Sequence, residues 1–359
     1  MSGTSMDGIN VTLVKTNGIS LKRYNYNHVF SYSTKTKILL KEVMDYETIN
    51  FKNNKIIKLH ELVTFDHYVA IKKFIKQFKI HPDLVGFHGQ TIYHNAREGL
   101  SIQVGNPKKL AKQLKIDVIG NFRENDLKYG GQGAPLAPIY HRYLMESLNL
   151  PLPSCFLNIG GVANLTYWDG KNLLGFDTGP GNGLMDLYMQ KNFNKEYDEN
   201  GCLAKKGVPD EEIIRSILNN NYFTQKYPKS LDKNTFRYLL SHFYAKKLKH
   251  EDAMSTLINL TVKSIRLALD KLPTKTKSVF VMGGGINNKF LMEILNEKLE
   301  QDFYNINKVS IAGEMIEAEL IAFLSARTLY SYPSTFPQTT GTKIPTIAGK
   351  LYLSSSDLN

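Results

Sequence analysis

The sequence predicts an α/β protein made of two similar halves. Short apolar runs typical of strands alternate along the chain with longer segments of helical periodicity, which is the pattern of layered α/β domains. In both halves, strand-like runs end directly in glycine-rich loops. The chain has 359 residues, of which 42% are hydrophobic, so it can bury two cores of ordinary domain size.

Two kinds of pattern define the individual elements. Apolar side chains at helical spacing, including Leu62, Phe65 and Val69, indicate a long helix. Short apolar runs that end in glycine or polar residues indicate strands. In chain order, we predict a strand at 11–15, a helix at 58–78, strands at 84–87, 116–120, 155–159, 165–168 and 173–176, a helix at 257–272, a strand at 278–282 and a helix at 316–330.

In both halves, a predicted strand is followed by a glycine loop, a second strand and then a carboxylate or amide residue. No internal sequence repeat is detectable. This recurrence predicts two similar α/β domains with a cleft between them. Clefts between domains are preferred sites for small molecules. The pattern therefore indicates a protein that acts on a small polar compound.

Several features bear on where the protein works. No run of about 18 apolar residues is present, so we expect no transmembrane helix and no membrane partner. The first eight residues lack the charged and apolar regions of a signal peptide. The two cysteines form no CxxC pair, which fits a reducing compartment and argues against a structural zinc site. We therefore expect a cytoplasmic protein.

The formal net charge of +12 raises the question of nucleic-acid binding. The lysines, however, are scattered over predicted helix faces, in a chain that is also rich in asparagine and isoleucine. This distribution is more typical of a solvated basic surface, so we expect no nucleic-acid partner. A basic surface would also attract an anionic nucleotide or sugar acid.

The segment GFDTGPGN, residues 175–182, contains the strongest candidate catalytic residue. Asp177 ends a short apolar run, and a predicted turn of three glycines and a proline follows it. A turn of this composition lets a ligand approach the backbone closely. A carboxylate at that point can act as a general base on a bound substrate.

The segment SGTSMDGIN, residues 2–10, predicts a phosphate-binding loop. Backbone N–H groups and hydroxyls between Gly3 and Gly8 could surround phosphate oxygens. Asp7 could bind Mg²⁺ directly or through water, because hard cations take oxygen ligands. Taken alone, the segment is more typical of a surface turn before a strand.

Two further glycine loops follow predicted strands. In NIGGVAN, Gly160 and Gly161 follow one strand and Asn164 precedes the next, so a simple hairpin is the plainer interpretation. Together with the first loop, it becomes a candidate second phosphate clamp. In MGGGINN, three glycines from Gly283 leave room for a flat adenine or ribose. Neither loop matches a dinucleotide-binding or Walker motif.

Polar residues of the first half are candidates for binding a sugar. In FHGQT, His88, Gln90 and Thr91 combine donors and acceptors suited to hydroxyls or a carboxylate, although a structural role for His88 is equally plausible. In NFRENDLKYGGQGAPL, Arg123 offers a planar fork for a carboxylate or phosphate. For Asp126 we favour a structural role, capping a turn or pairing with Arg123.

With these loops in this order, the chain resembles the anhydro-N-acetylmuramic acid kinases, bacterial enzymes of cell-wall recycling. They belong to the superfamily that includes acetate kinase, sugar kinases and actin. The resemblance covers most of the chain, and its motifs are highly specific jointly rather than singly. It implies two actin-like (ribonuclease H-like) domains with an active-site cleft between them. The matching strings are SGTSMDG, GFHGQT, IQVGNP, NFRENDLKYGGQGAPL, LNIGGVANLT, GFDTGPGNGLMD and GGGINNKFLM.

The resemblance implies a kinase reaction of two coupled steps that uses ATP and Mg²⁺. Water opens the 1,6-anhydro ring of 1,6-anhydro-N-acetylmuramic acid, and the freed 6-oxygen takes the γ-phosphate. The products would be N-acetylmuramic acid 6-phosphate and ADP. In this family the aspartate of the GFDTGPGN-type segment is the base for the water, which agrees with the choice of Asp177 made from the residues alone.

The resemblance also implies roles for the other candidates. The ATP-binding residues would be Gly3, Thr4, Ser5, Met6, Asp7, Gly8, Gly160, Gly161, Asn164, Gly283, Gly284 and Gly285, with Asp7 the candidate Mg²⁺ ligand. The sugar-binding residues would be His88, Thr91, Arg123 and Glu317. Glu317 lies at the start of the last long helix, where the helix dipole alone would favour an acidic residue.

The resemblance further suggests domain boundaries and one departure. We expect an amino-terminal domain of residues 1–122 plus 335–359 and a carboxyl-terminal domain of residues 123–334. Family members usually have a short apolar strand immediately before the SGTS loop, and here Met1 stands where that strand should end. We therefore expect a truncated first strand, and either a true start further upstream or an impaired product. Relatives are dimers, so we expect a homodimer.

Three alternatives remain open at this point. One is another kinase of the same superfamily with a different sugar or acid as substrate. The second is a non-catalytic, ATP-binding remnant that turns over little substrate. The third is a nucleic-acid-binding module, which would show salt-sensitive binding to DNA or RNA.

Overall fold

The computed structural model describes residues 1–2, 8–44, 54–96, 98–231, 235–309 and 315–355. The chain forms two compact units: unit 1 consists of Met1–Tyr143 with Glu314–Asn359, and unit 2 of Leu144–Gly313. The boundaries expected from the sequence lie elsewhere, at 122/123 and 334/335. The difference arises because the long helix that begins at Ile316 packs against strands of unit 1.

The strands alternate with helices along the chain, as the sequence predicts. The strands are β1 (Ile9–Thr16), β2 (Leu21–Phe30), β3 (Val85–Gly86), β4 (Gln90–Asn95), β5 (Leu100–Val104), β6 (Val118–Gly120), β7 (Ser154–Ile159), β8 (Val162–Trp168), β9 (Leu173–Pro180), β10 (Ser278–Met282), β11 (Asp302–Asn305) and β12 (Lys350–Tyr352). Each strand expected from sequence overlaps one of these, and β10 matches its expected bounds.

The three predicted helices are also present, with ends that differ by a few residues. Over the described ranges, no helix has the length and apolar character needed to cross a bilayer. The helices are α1 (Thr34–Met44), α2 (Asn54–Phe78), α3 (Pro107–Leu114), α4 (Glu124–Lys128), α5 (Pro138–Ser147), α6 (Gly183–Phe193), α7 (Glu211–Leu218), α8 (Asn221–Thr224), α9 (Leu239–Ala245), α10 (His250–Leu269), α11 (Lys289–Lys298), α12 (Ile316–Leu329) and α13 (Pro337–Thr340).

Unit 2 is built on one five-stranded sheet with the order β11-β10-β7-β8-β9. The consecutive strands β7, β8 and β9 form an antiparallel meander. On the other side of β7, the strands β10 and β11 run parallel to it. A three-stranded meander extended by two parallel strands beside its first strand is the ribonuclease H-like arrangement. The α/β fold class predicted from the sequence is confirmed.

The core of unit 2 lies between this sheet and α10. The helix is buried along most of its length, and it packs directly on β9. Close packing is possible because Gly179 has no side chain: a Cβ there would lie 2.6 Å from Ser264 Oγ. Leu157, Leu165 and Phe176 enter this core from three neighbouring strands, as the alternation of side chains along strands requires.

Unit 1 has smaller sheets. The described strands pair as β12-β6-β3, as β1-β2 and as β4-β5. Helix α12 packs against β1, β3 and β6, and α2 packs against β1 and β5. Glycine again permits close packing, since a Cβ on Gly86 of β3 would lie 2.5 Å from Ser325 Oγ of α12.

An apolar groove lies between β1 and β3. Its walls include Val11 of β1, Val85 of β3 and Phe74 of α2. Within the described part of the chain, no strand lies between β1 and β3. At one end of the groove, the backbones of Met1 and Asn10 exchange two hydrogen bonds of 2.9 and 2.8 Å.

Candidate active site

A row of polar side chains crosses the sheet of unit 2. Asn158 of β7 pairs with Asn164 of β8, and Asn164 pairs with Asp177 of β9. Directly opposite residues in neighbouring strands point to the same face, which here is the face away from the α10 core. All three side chains keep partial solvent exposure. A ligand on this face would meet two amides and one carboxylate.

Asp177 is held by three hydrogen bonds. Its backbone N–H donates to the carbonyl of Lys229 at 2.9 Å, and its own carbonyl accepts from the Tyr222 hydroxyl at 2.6 Å. The backbone N–H of Leu231 donates to the carboxylate Oδ2 at 2.7 Å. These contacts restrict both the main chain and the side chain, so the carboxylate has a defined orientation.

The turn predicted directly behind Asp177 begins later in the structure. Strand β9 continues through Pro180, which pairs with Val162 of β8. The prediction was wrong at this point because glycine and proline usually interrupt strands, whereas here Gly179 is needed for the close approach of α10. Asp177 is therefore inside a paired strand, where its position is better fixed than it would be in a loop.

The glycines of NIGGVAN form the turn of the β7–β8 hairpin, which confirms the plainer interpretation of that motif. Their carbonyls are also used: Gly160 accepts from the N–H of Asn182 at 2.7 Å, and Gly161 from those of Gly181 and Gly183 at 3.1 and 3.2 Å. A Cβ on Gly181 would lie 2.2 Å from the Gly160 oxygen. Two backbone turns thus pack against each other without intervening side chains.

The glycines after β10 lie next to the same hairpin. Gly283 has a φ of +80°, and a Cβ there would lie 2.4 Å from Asn158 Oδ1. A Cβ on Gly285 would lie 2.6 Å from Ile159 Cβ. Because β7 and β10 are parallel, both glycine loops leave the sheet at the carboxyl edge, where ligands bind in α/β sheets. The structure therefore brings the second and third predicted loops together.

Helix α6 starts at this edge with Gly183. Its backbone N–H groups and dipole favour an anion near its first turn. Asp186 also lies in that turn, and burial raises its pKa to about 7. Because the carboxyl is partly protonated at neutral pH, it opposes a neighbouring phosphate less than an ordinary aspartate would.

The candidate sugar-binding residues all belong to unit 1. His88 lies between β3 and β4, Thr91 lies in β4, Arg123 directly precedes α4, and Glu317 lies in the first turn of α12. The positive charge of Arg123 acts on both His88 and Glu317: it adds to the lowering of the His88 pKa by burial, and it opposes the rise of the Glu317 pKa caused by desolvation. The three side chains therefore share one electrostatic environment. Thr91 Oγ1 accepts a hydrogen bond of 3.3 Å from the amide of Gln103.

The buried His88 is suited to accept a hydrogen bond from a hydroxyl. Burial, more than the charge of Arg123, lowers its pKa to about 3, so the ring is neutral at physiological pH. Its Nδ1 lies 3.0 Å from the carbonyl of Gly89 and must carry the proton in that contact. Within the described residues, Nε2 has no hydrogen-bond partner. It is left as an acceptor.

The side chain of Glu317 is exposed to solvent, but protein atoms surround its carboxyl group. Its side chain is exposed, yet desolvation by the surrounding atoms raises its pKa, while the Met1 α-amino group and Arg123 oppose that rise. The helix that carries it is fixed two residues further on. There Arg23 donates two hydrogen bonds of 2.7 Å to Glu319.

Asp126 has the structural role that we favour from the sequence. It is fully buried, and its carboxylate accepts from the N–H of Gly133 at 2.7 Å and from Thr340 Oγ1 at 2.6 Å. Arg123 donates to the carbonyl of the same Gly133 at 2.7 Å. Asp126 thus holds the glycine loop against which the guanidinium of Arg123 is placed.

Gly8 ends the predicted amino-terminal phosphate loop. Gly8 is buried directly against β2, where a Cβ would lie 2.7 Å from the Phe30 oxygen. Its glycine is therefore required by packing. Gly3, Thr4, Ser5, Met6 and Asp7 lie outside the described residues.

The sequence reasoning missed four polar residues of these sites. Asn158 could have been found, because strand alternation puts it on the face of Asn164. His94 lies in β4 with Nδ1 3.0 Å from Ser101 Oγ, and a lone histidine in a strand carries no signal. Lys229 and Tyr222 reach Asp177 through tertiary contacts alone.

Comparison with known proteins gives one family over nearly the whole chain. The family model described as "Anhydro-N-acetylmuramic acid kinase" matches residues 1–354. The chain belongs to the anhydro-N-acetylmuramic acid kinase family. It is therefore an enzyme of the kinase class.

Curated members of this family are similar over nearly their full length. The anhydro-N-acetylmuramic acid kinase of Methylobacterium nodulans is 36% identical, with 97% of each chain covered. Those of Zymomonas mobilis and Pelagibacter ubique are 35% and 36% identical, covering 98% of this chain and 98% and 96% of their own. Among solved structures, the activator of the 2-hydroxyisocaproyl-CoA dehydratase from Clostridium difficile with bound ADPNP aligns with a TM-score of 0.37 and 10% identity, over 88% of this chain and 91% of its own.

Proposed function

We propose that this kinase uses ATP to convert 1,6-anhydro-N-acetylmuramic acid into N-acetylmuramic acid 6-phosphate and ADP, in cell-wall recycling. The observation that carries the proposal is the placement of Asp177 on the polar face of a sheet whose edge bears two glycine loops. Its carboxylate accepts from the N–H of Leu231, and its main-chain carbonyl accepts from the Tyr222 hydroxyl. Family membership supplies the identity of the sugar.

Asp177 acts as the general base for the attacking water. As the water oxygen bonds to the anomeric carbon, Asp177 takes its proton, and the bond between that carbon and the 6-oxygen breaks. The freed 6-oxygen then attacks the γ-phosphorus, and the bond between that phosphorus and the β,γ-bridging oxygen breaks to release ADP. A strained, polarised anomeric carbon requires a well-placed base more than a strongly basic one.

The glycine loops of unit 2 bind the nucleotide. The 160–161 turn presents backbone rather than side chains, which suits close approach of phosphate oxygens. The N–H groups of residues 181–183 already bond its carbonyls, so the anion would meet the next N–H groups of α6 and its dipole. The 283–285 loop offers a surface without side chains to the nucleoside, since Gly283 and Gly284 are exposed. The segment Gly3–Gly8 and Asn164 complete the proposed set.

Mg²⁺ would neutralise charge on the transferring phosphoryl group when bound with the nucleotide. The described residues contain no group of three histidine, cysteine or acidic side chains that could hold a metal ion. This fits Mg²⁺, which commonly keeps several waters and binds mainly through nucleotide phosphates with one or two carboxylates. We propose Asp7 as that carboxylate.

The polar residues of unit 1 bind the sugar. Arg123 pairs with the lactyl carboxylate, and the neutral His88 accepts from a sugar hydroxyl through Nε2. Thr91 and Glu317 supply further hydrogen bonds. This set contains one permanent cation for an anionic substrate, which is the minimum needed to prefer a sugar acid over a neutral sugar.

The test is ADP release with ATP, Mg²⁺ and 1,6-anhydro-N-acetylmuramic acid, with the product identified by mass. We expect turnover that depends on the anhydro ring, so N-acetylmuramic acid should serve as a matched substrate without ring strain and give little or no ADP. Equal turnover of both sugars would contradict the ring-opening step. Turnover of an unrelated sugar acid alone would favour another kinase of the superfamily.

We also propose that the enzyme is a cytoplasmic homodimer. The proposal rests on the family resemblance and on the absence of a membrane-spanning helix within the described ranges. Light scattering coupled to size-exclusion chromatography measures the mass of the particle. A monomer at micromolar concentration would contradict the dimer.

A further inference from the structure

Three residues form a closed ring of contacts beside the proposed catalytic base. The backbone of Lys229 accepts from Asp177, and the Lys229 ammonium donates to the carbonyl of Tyr222 at 2.8 Å. The hydroxyl of Tyr222 in turn donates to the carbonyl of Asp177. Each residue contacts the other two, so displacement of any one of them strains the two contacts that it makes.

The ring includes a segment that runs along an outer strand. Strand β9 is the last strand of the unit 2 sheet, and residues 227–231 lie beside it. Lys229 O binds the main chain of Asp177, and Leu231 N–H binds its side chain. We call this segment the strap. It holds the carboxylate from the side on which the sheet provides no neighbouring strand.

The burial of Lys229 is unusual for a lysine. Its relative exposure is 6%, and its ammonium lies 4.3 Å from the centroid of the Tyr222 ring. Lysine is almost never fully buried, because removing an ammonium from water costs free energy. Replacing a buried charge by an apolar side chain of similar size is often neutral or stabilising. Stability therefore does not explain the choice of lysine at this position.

The surroundings of Lys229 disfavour the charged form of its side chain. Burial and the nearby Lys271 lower the pKa of Lys229 to about 8, and Asp177 opposes the shift. The ammonium form still prevails at pH 7. The charged donor thus remains available to hold the carbonyl of Tyr222.

We propose that Lys229 is a positioning residue for Asp177: through the strap and Tyr222 it fixes the carboxylate for proton transfer from water. This inference rests on the proposed function, in which Asp177 is the base. Proton transfer is sensitive to geometry, and misplacement by about 1 Å can cost on the order of a hundredfold in rate. Lys229 itself touches no reacting atom in this proposal.

The experiment compares Lys229→Met, Asp177→Asn and the double variant by steady-state kinetics with anhydro sugar and ATP. We expect Lys229→Met to lower kcat by about ten- to a hundredfold at unchanged KM for both substrates. In the Asp177→Asn background we expect no further loss, because Lys229 acts only through the base. Lys229→Arg, which keeps a cationic donor, should retain more of kcat than Lys229→Met does.

Lys298→Met is the matched control. The Lys298 ammonium also donates to a protein oxygen, Asn259 Oδ1 at 2.6 Å, in the same unit. We expect its kcat and KM to remain those of the unchanged enzyme. Thermal unfolding of every variant establishes that differences in kcat do not reflect loss of folded protein.

The possible failures can be told apart. Equal losses from Lys229→Met in both backgrounds, or a raised KM at unchanged kcat, would overturn the positioning role. If Lys229→Met does not fold, Tyr222→Phe decides, since it removes only the hydroxyl bonded to Asp177; unchanged kcat would then overturn the inference. Full activity of Asp177→Asn would instead reject the proposed function.

Discussion

The two units present their candidate functional residues in different ways. In unit 2, Asn158, Asn164 and Asp177 lie on one continuous five-stranded sheet, and the carboxylate accepts from the backbone N–H of Leu231. In unit 1, the candidates lie at a strand end, in a loop and at a helix start, around smaller sheets. The proposed chemical step thus uses a residue supported by a continuous sheet and by hydrogen bonds, and the proposed sugar recognition uses side chains from several separate elements.

Replacing Asp177 by asparagine should have the largest effect. The amide keeps the size and much of the hydrogen bonding of the carboxylate but cannot take a proton, so we expect kcat to fall by roughly 10²–10⁴-fold. Binding of ATP and sugar should persist, which equilibrium titration can measure. The exposed Asp302 provides the control Asp302→Asn in the same sheet. If Asp177→Asn retains kcat, the rigid support in unit 2 serves some purpose other than base catalysis.

Filling the groove of unit 1 with an added strand should make its sheet closer in size to the five-stranded sheet of unit 2. A segment of about five alternating valine and isoleucine residues, fused before Met1, would continue the pairing that Met1 already makes with Asn10. Burying two of its side chains at about 1.5 kcal/mol each would add about 3 kcal/mol of stability. Urea unfolding measures the change. A glycine-serine segment of equal length is the control, and equal midpoints for both fusions would show that the groove does not accept a strand.

A substitution in the glycine loop after β10 tests whether the carboxyl edge of the unit 2 sheet binds the nucleotide. Gly283→Ala introduces a Cβ into a left-handed backbone and 2.4 Å from Asn158 Oδ1. We expect a cost of about 2–3 kcal/mol from strain and displacement, with a raised KM for ATP. Gly170→Ala is the matched control, because Gly170 also has a left-handed backbone (φ +94°) but lies in the β8–β9 turn, outside the proposed nucleotide site. Similar KM values for the two variants would argue against nucleotide binding at this loop.

Much of this architecture could be predicted from sequence, because its signals are local. The strand at Ser278–Met282 and the helix from Ile316 have long apolar runs or clear periodicity, and both were found within a residue. Strand β2 was not predicted because most of it is exposed and polar. It exists because it pairs with β1 along nearly its whole length.

The residues of the candidate site also divide into those with a local sequence signal and those without one. The glycine loops and Asp177 carry signals in their composition, so they could be named before the structure was known. The contacts that orient Asp177 come from residues about 45 to 54 positions away, and no spacing rule reaches that far. Such contacts depend on tertiary packing and could not be predicted from a single sequence.

Arg123→Ala should affect unit 1 alone. If the guanidinium pairs with the substrate carboxylate, we expect KM for the sugar to rise at least tenfold, a loss of about 1.4 kcal/mol or more, at nearly unchanged KM for ATP. Arg266→Ala, at an exposed position of α10 with only an ion pair to Asp270 at 3.8 Å, is the control. An unchanged KM for the sugar would reject the role of Arg123.

The smallest expected effect is a difference in acid response between the units. Burial lowers the pKa of His67, His88 and His141 in unit 1 to about 3. Between pH 6.5 and 3 the unfolded chain binds protons that folded unit 1 excludes, so its stability is complete above pH 6.5 and falls as the solution becomes more acidic. In unit 2, the raised pKa of Asp186 acts oppositely: its contribution is present in acid and is lost as pH rises through about 7.

Substituting one buried histidine should therefore flatten the acid response of unit 1. For His67→Leu, the decline in unfolding free energy between pH 6 and 4 should lessen by up to about 1.4 kcal/mol per pH unit, the value for one proton. Urea unfolding with hydrogen exchange resolved by unit measures this slope. His81→Leu, at an exposed position of unit 1, should leave it unchanged. Identical slopes for the two variants would mean that His67 accepts its proton in the folded state, and that acid does not distinguish the units through this residue.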